Sequence, residues 1–211
     1  MDNNFNIPLE YLTDDEVAEL SKVVGRLEEV SKRDESQKDF MSFVKNVWPT
    51  FVEGSHHKIY ADKLQKVAEG KIKRLIVNMP PRHTKSEFAS YLFPSWLMGR
   101  KPDTKIIQAT HTAELAVGFG RKVKNLIDSD IYRDVFPDLA LASDAKASGR
   151  WSTSKGGEYY AVGVGGALAG RGADLCIIDD PVSEQDALSP TALDNIYEWY
   201  TSGPRQRLQP G

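Results

Sequence analysis

Apolar residues near the start of the chain recur at spacings of three and four, which predicts an amphipathic helix. Thr13 and Glu16 match a capping box, in which each side chain accepts a hydrogen bond from the other residue's backbone N–H. The helix is predicted to run to about residue 31, and the mostly charged residues 32–37 are predicted to be a linker. The apolar positions of the helix are Val17, Leu20, Val24, Leu27 and Val30.

Two further helices are predicted in the first third of the chain. One covers residues 40–48 and is ended by Pro49, and the other covers residues 58–69 and is ended by Gly70. Together with the first helix they form a predicted N-terminal helical region. Packing against the rest of the protein is their simplest role, and a lid, a linker or a partner-binding face are the alternatives.

Short apolar runs alternate with helical patterns through the rest of the chain. Strands are predicted at residues 75–77, 105–110, 158–162 and 175–178. Helices are predicted at residues 85–92, at residues 112–127 and from Pro190 onward. Residues 128–148, which Pro137 interrupts, and the mostly polar residues 151–155 follow neither pattern. Strands that alternate with helices predict an α/β fold with a mainly parallel sheet flanked by helices on both faces.

Length and composition limit the domain organisation and the kinds of partner. A chain of 211 residues with 40% hydrophobic residues predicts a helical extension and linker over residues 1–39 and one α/β domain over residues 40–211. The net charge of −3 excludes an overall basic surface for nucleic acid and leaves local patches open. The single cysteine, Cys176, excludes a disulfide framework and fits a reducing cytoplasm. No apolar run reaches the length of a membrane span, so no membrane partner is expected.

Residues 80–86 lie between a predicted strand and a predicted helix, and they end in Lys85 and Ser86. A strand, a tight loop and a Lys-Ser pair opening a helix are the layout of a phosphate-binding P-loop. In that layout Lys85 reaches the β- and γ-phosphates and the Ser86 hydroxyl ligates Mg²⁺.

The rest of this loop departs from the usual pattern. The pattern has glycines at positions 79 and 84, where this chain has Met79 and Thr84. A surface turn followed by an ordinary helix is therefore the alternative. Within the P-loop interpretation, the guanidinium of Arg82 contacts phosphate in place of the missing glycine's backbone, and His83 shapes the loop or contacts phosphate. Pro81 and Thr84 complete the predicted phosphate-binding segment.

Two acids end the last predicted strand. Four apolar residues, 175–178, are followed by Asp179 and Asp180, the form of a Walker B strand that delivers acids to the carboxyl edge of a sheet. Asp179 is predicted to hold Mg²⁺ and Asp180 to polarise the attacking water. Many such ATPases have glutamate at the second position, so Glu184 is the alternative catalytic carboxylate. The alternative is that the two acids belong to an ordinary turn at the end of a strand and have no catalytic or metal-binding role.

Several motifs in one order resemble the large subunit of tailed-phage terminases, the motor that packages DNA. The resemblance covers residues 40–211, and Thr84 departs from the glycine that many relatives have before the Lys-Ser pair. It implies an ASCE-type P-loop NTPase fold. The segments that carry it are residues 79–87, 93–96, 99–102, 119–121, 170–174, 178–181 and 199–200.

The resemblance implies a function, cofactors and partners. Members of this family hydrolyse ATP with Mg²⁺ to drive double-stranded DNA into a procapsid, in the host cytoplasm at the portal. The implied partners are phage DNA, the portal protein, the small terminase subunit and further copies of the chain in a ring. The family's C-terminal nuclease domain has no counterpart in residues 1–211, so no nuclease activity is expected from this chain.

Two more candidate site residues are suggested by their positions relative to the acid pair and to the predicted strand at residues 75–77. Arg171, in a Gly-Arg-Gly segment before the acid pair, is predicted to act as an arginine finger on a neighbouring subunit's ATP. A solvated loop arginine is its alternative, and Arg205 and Arg207 are weaker rivals for the role. His57 is predicted to contact the adenine base, because related motors place that pocket before the P-loop strand; for the nearby Trp48 and Phe51 ordinary packing is the simpler role.

Two other functions fit the same motifs. A helicase-like DNA translocase shares the core, although only one such core is present in this sequence. A hydrolysis-deficient module that binds nucleotide, or that docks on DNA or the portal, is the third possibility. Thr84 is its main support, because a Cβ there could keep the loop from closing on phosphate.

Overall fold

The computed structural model describes residues 12–145 and 147–208 of the chain. Over these residues the fold is α/β, with a four-stranded, mostly parallel mixed sheet flanked by helices. This arrangement is compatible with a Rossmann-like fold. Among the helices described, none combines the length and apolar character that a membrane span requires.

The elements are numbered in chain order. The helices are α1 Asp14–Lys38, α2 Phe40–Val47, α3 Ser55–Ala68, α4 Phe93–Arg100, α5 Ala113–Ile127, α6 Asp130–Val135 and α7 Pro190–Ser202. The strands are β1 Lys105–Thr110, β2 Arg150–Ser152, β3 Glu158–Gly163 and β4 Leu175–Ile178. A π-helix, Glu87–Leu92, runs directly into α4, and short 3-10 helices cover Asp186–Leu188 and Pro204–Gln206.

The strand order in the sheet is β2-β3-β1-β4. β1 pairs in parallel with β3 on one side and with β4 on the other, while β2 is antiparallel to β3. Since parallel strands end at the same edge, the residues that follow β1, β3 and β4 lie close together. The backbone confirms this, because the N–H of His111 donates to the carbonyl of Asp180 at 3.2 Å.

The two faces of the sheet have unequal cores. The larger core is built by helices α2 to α6 and the π-helix, with Phe40 packed against Phe88 at 5.6 Å and against Trp96 at 5.4 Å between ring centroids. The smaller core lies on the other face, where Leu168 and Trp199 pack against β1 and β3. Both faces are therefore covered, as the alternating pattern predicts, but most of the apolar packing is on one of them.

The predicted linker at residues 32–37 is wrong, because α1 continues to Lys38 without a break. The last turn of α1 is fixed by tertiary contacts rather than by its own composition. The Trp96 indole N–H donates to the carbonyl of the buried Ser36 at 2.9 Å, and the Gln37 amide donates to the Val135 carbonyl. The capping box at Thr13 and Glu16 is confirmed, and the first eleven residues of the predicted extension lie outside the described residues.

The predicted buried strand at residues 75–77 is also wrong. In the described residues this segment pairs with no strand, and Ile76 is 87% exposed. Leu75, Val77 and Met79 pack against the larger core on one side of the segment. The apolar run is therefore an extended segment of which only one side is covered, and Ile76 on the other side faces solvent.

Three differences in the other elements have local causes. α3 begins at Ser55 instead of residue 58, because the His57 ring accepts the Gly54 N–H and caps the helix. β2 was not predicted, because its segment is mostly polar. It pairs with β3, and its Trp151 ring stacks on Tyr159 with an interplanar angle of 2°. The predicted helix over residues 85–92 continues to Arg100. β1, β4, α5 and α7 agree with their predicted positions to within one residue.

Candidate functional site

Residues 80–86 form a loop that leads into the π-helix. Arg82 and Thr84 both have φ of 62°, the left-handed region that side chains with a Cβ rarely adopt. Across the described residues, no acceptor receives the backbone N–H of any residue from Arg82 to Ser86. Consecutive free N–H groups in such a turn, at the start of a helix, form a concave site for an anion. Thr84 thus adopts the conformation for which a glycine is expected.

His57 lies beneath the loop and holds Thr84 in place. The Gly54 N–H donates to His57 Nδ1 at 2.8 Å, so the ring proton is on Nε2 and donates to the Thr84 hydroxyl at 2.8 Å. The Thr84 hydroxyl donates in turn to the His83 carbonyl at 2.6 Å. His57 is 6% exposed and its ring stacks on Phe88 at 5.4 Å. This placement gives His57 a role in shaping the loop that its sequence position did not reveal.

The environment of His57 favours its neutral form. Burial lowers the pKa of His57, the neighbouring His56 and His83 lower it further, and Glu53 opposes them. Protonation would also put a second N–H against the N–H of Gly54 and remove the cap of α3. The hydrogen bonds of the loop therefore depend on a neutral imidazole.

Lys85 brings the loop and the acid pair together. Its ammonium donates to the Asp180 carboxylate and lies 3.4 Å from Asp179 Oδ1. Burial pulls the pKa of Lys85 down, but the hydrogen bond to Asp180 and the charge of Asp179 outweigh it and raise that pKa above its ordinary value. Lys85 is therefore a firmly held cation at the carboxyl end of β4.

A buried polar network positions Asp179. The Ser90 hydroxyl donates to Asp179 Oδ2 at 2.8 Å, and the Gln108 amide donates to the Ser90 oxygen at 3.1 Å. Ser90 and Gln108 are fully buried and Asp179 is 6% exposed. Neither Ser90 nor Gln108 was predicted from the sequence. The one available signal was Gln108, a glutamine between apolar residues in the middle of a buried strand.

Asp180 is held differently from Asp179. Its side chain is 63% exposed and its backbone has φ of 45°, so the chain turns sharply as β4 ends. Glu184 is exposed and has no ion-pair partner in the part of the chain that the structure describes. Both carboxylates face solvent, and Asp180 is the one that contacts Lys85.

Ser86 and Asp179 are the two residues that the sequence predicts to hold Mg²⁺. The Ser86 hydroxyl makes no hydrogen bond to any described residue. A hydroxyl and a carboxylate are hard oxygen ligands, and Mg²⁺ usually keeps several waters and takes only one or two ligands from protein in phosphate sites. Within residues 12–145 and 147–208, no three acidic, histidine or cysteine side chains are grouped as metal ligands. The donor set therefore fits an ion held jointly with a phosphate ligand rather than a metal held by protein alone.

Arg171 lies apart from these residues. Its guanidinium carbon is 3.8 Å from the ring centroid of Tyr160, on the side of the smaller core. Arg171 precedes β4 and the acids follow it, and residues 174–179 alone span about 16 Å in an extended chain. Among the described residues, no hydrogen bond or ion pair joins Arg171 to Lys85, Asp179 or Asp180.

The aromatic residues near His57 pack as predicted. Trp48 and Phe51 are partly buried against the larger core, with their ring centroids 5.2 Å apart. Phe51 also contacts the His57 ring at 4.8 Å. These three rings, with Phe88, form an aromatic support under the loop.

No family model matches the sequence, and no curated protein matches it. What this site does must therefore be inferred from its geometry. The geometry joins a loop of free N–H groups, a lysine and two carboxylates that are distant in the sequence.

Proposed function

We propose that this chain is a Mg²⁺-dependent P-loop ATPase, the motor domain of a phage terminase large subunit that drives double-stranded DNA into a procapsid. The observation that carries the proposal is the meeting of Lys85 with Asp179 and Asp180. These residues are 94 and 95 positions apart, and they converge where the free N–H groups of the loop begin a helix. Cation, carboxylates and N–H groups are the parts that phosphoryl transfer requires.

The phosphate-binding role belongs to the loop and to Lys85. The free N–H groups of residues 82–86 give the loop a positive inner surface, and Lys85 adds a full charge to it. Lys85 now pairs with carboxylates, so binding of a polyphosphate replaces that pairing with phosphate oxygens. Arg82, which is exposed in the same loop, supplies a guanidinium to a phosphate in this proposal.

The metal role belongs to Ser86 and Asp179. When bound, Mg²⁺ neutralises the charge that develops on the phosphate oxygens during transfer. Ser90 and Gln108 keep the Asp179 carboxylate in one orientation, because each of their hydrogen bonds is buried. Asp179 therefore needs little reorganisation to meet a metal ion.

Asp180 is proposed to orient the attacking water, with Glu184 as the alternative. Asp180 is exposed and next to Lys85, which favours it over Glu184. Arg171 is proposed to act on the ATP of a neighbouring copy, since it lies away from its own chain's site. For that role its guanidinium must leave the ring of Tyr160.

The resemblance to terminase large subunits supports the rest of the proposal. It supplies a ring of copies, double-stranded DNA, the portal protein and the small terminase subunit as partners, and the host cytoplasm as the place of action. His57 is proposed to act through the loop rather than on the adenine, since its ring is buried under Thr84.

The test is phosphate release from ATP over a series of protein concentrations, for wild type and Lys85→Ala. The wild-type rate per subunit is expected to rise with concentration, and Lys85→Ala is expected to abolish turnover. Lys122→Ala is the matched control, because Lys122 is an exposed lysine paired with Glu87 next to the loop. Turnover that survives in Lys85→Ala would overturn the site, and a rate per subunit that stays flat would remove Arg171 as a finger in trans.

A second candidate, nucleotide binding without hydrolysis, is favoured by one observation. Thr84 holds a left-handed conformation with a Cβ, and its hydroxyl is already bonded to His57 and His83. A loop fixed in this way could bind phosphate without closing over it. Nucleotide binding without phosphate release, restored to hydrolysis by Thr84→Gly, would support this candidate over the ATPase.

A further inference from the structure

The first part of α1, residues 14–30, has no buried residue and carries an apolar stripe on its surface. Only its last turns contain a buried residue, Ser36. Six apolar side chains before that point are between 36% and 64% exposed. They are Val17, Leu20, Val23, Val24, Leu27 and Val30. Contiguous exposed apolar surface of this kind is a mark of an interaction site.

The stripe has the spacing of a helix that pairs with another helix. Val17, Leu20, Val24 and Leu27 follow one another at intervals of three, four and three, the a and d positions of a heptad. A β-branched residue at a with leucine at d favours pairing of two helices. Val23 and Val30 occupy g positions and widen the apolar seam on one side.

The charges beside the seam are of one sign. The e and g positions that carry charge in this part of α1 are Asp14, Glu16 and Glu28, all acidic. Its basic residues, Lys22 and Arg26, are at f and c positions, on the side away from the seam. Charges at e and g choose the partner helix, so acidic flanks select basic ones.

We propose that residues 14–30 of α1 are a docking face for one amphipathic helix of another protein, with an apolar seam flanked by lysine or arginine. A second copy of α1 would bring acids alone to the flanks of the pair. Nucleic acid and anionic membranes are repelled by the same acids. This inference is independent of ATP hydrolysis, because α1 up to residue 30 shares no residue with the Lys85 site.

The test uses two synthetic helical peptides of about three heptads, with valine at a and leucine at d. One peptide has lysine at e and g, and the other has glutamate. Binding of each to the full chain is measured by fluorescence anisotropy. The lysine peptide is expected to bind about tenfold more tightly or better, since opposite charges replace like charges along the seam.

Three variants decide where and how the peptide binds. Leu27→Ser is expected to weaken the lysine peptide about tenfold, because it removes a d-position side chain. Glu28→Lys with Asp14→Lys is expected to reverse the preference between the peptides. Lys22→Ser, on the opposite side of the helix, is the control and is expected to bind as wild type does.

Several results would overturn the proposal. Equal binding of the two peptides would show that charge does not select the partner. Full binding by Leu27→Ser would place the contact elsewhere. A wild-type dimer in sedimentation that Leu27→Ser dissociates would show that a second copy covers the seam. Circular dichroism of each variant confirms that α1 still folds.

Discussion

The carboxyl edge of the sheet and residues 14–30 of α1 depart in opposite ways from the usual distribution, in which polar side chains are exposed and apolar ones are buried. At the edge, Ser90, Gln108 and Asp179 are polar and buried. On α1, Leu27 and its apolar neighbours are exposed. Exposed single hydrophobic residues are common, so buried polar groups and contiguous apolar patches are the informative cases. In the first region polar groups bond to one another inside the protein, and in the second apolar side chains are left exposed.

The largest effect is expected on ATP turnover, from removing the negative charge of Asp179. Asp179→Asn keeps an oxygen that can accept the Ser90 hydroxyl, so the fold is expected to survive. If Asp179 binds the metal as proposed, this substitution is expected to lower ATP turnover at least about 100-fold, as for removal of other strong electrostatic groups in active sites. Phosphate release at saturating Mg²⁺ measures this. Asp138→Asn, at an exposed site, is the control; hydrolysis retained in Asp179→Asn would remove that residue from the proposed metal site.

The next effect concerns the network's contribution to stability. Ser90→Ala leaves Asp179 and Gln108 without their shared hydroxyl, and the expected loss in the free energy of unfolding is about 1–3 kcal/mol. Ser95→Ala is the matched control on the same helix, because Ser95 is equally buried but donates only to the Tyr91 carbonyl. Urea unfolding of both variants gives the comparison. Equal losses would mean that the Ser90 hydroxyl contributes nothing beyond an ordinary helical serine.

A smaller change in the free energy of unfolding is expected from lowering the pH, because His57 takes up a proton. Because the pKa of His57 is lowered in the folded state, the unfolded chain binds more protons below the ordinary value of 6.5. Stability is therefore expected to fall as the pH drops from 7.5 to 5.5. His57→Phe retains an aromatic ring against Phe51 and Phe88, so it should flatten this dependence while lowering stability at pH 7.5.

Urea unfolding at the two pH values measures the change. His83→Gln is the comparison variant: His83 is exposed and is a smaller cause of the lowered pKa of His57 than burial, so most of the pH dependence should remain. A pH dependence as steep in His57→Phe as in wild type would show that other groups cause it.

The smallest effect is expected on α1. Leu27→Ala should change the free energy of unfolding by about 0.5 kcal/mol or less, as at other surface sites. The same substitution at Leu126 of α5, which is 6% exposed, should cost about 2–5 kcal/mol. Both helices have amphipathic sequences, so the difference between the two losses in the free energy of unfolding, measured in urea, shows whether the apolar side of each helix is covered. A large loss in Leu27→Ala would mean that the seam is already covered within the chain.

Much of the edge could be predicted because its signals are local. Lys85 opens a helix and Asp179 ends an apolar strand, and an alternation of strands and helices brings such ends together. The network behind Asp179 could not be predicted in the same way. Ser90 lies in a helical pattern without a distinguishing mark, and its contact with Asp179 joins residues 89 positions apart.

The errors have the same origin. Residues 32–37 are charged, as a linker would be, yet Trp96 and Val135 fix them as the end of α1. Residues 75–77 are apolar, as a strand would be, but a strand also needs a neighbour, and pairing is not encoded by the segment itself. Periodicity also predicted α1 correctly while leaving open whether its apolar side would be buried.

The π-helix between Ser86 and Phe93 has a consequence for how insertions and deletions act on this protein. Its hydrogen bonds span five residues, so Glu87–Leu92 holds one residue more than an α-helix would fit per turn, and Pro94 follows where an α-helical bond to Ser90 could not form. Winding the same residues as a regular α-helix would rotate the half before this segment by about 100° relative to α4. Deleting one residue would instead restore α-helical winding and leave the two halves in phase. The extra residue is thus taken up inside the helix that carries both Lys85 and Ser90, whose contacts with Asp180 and Asp179 depend on how that helix winds.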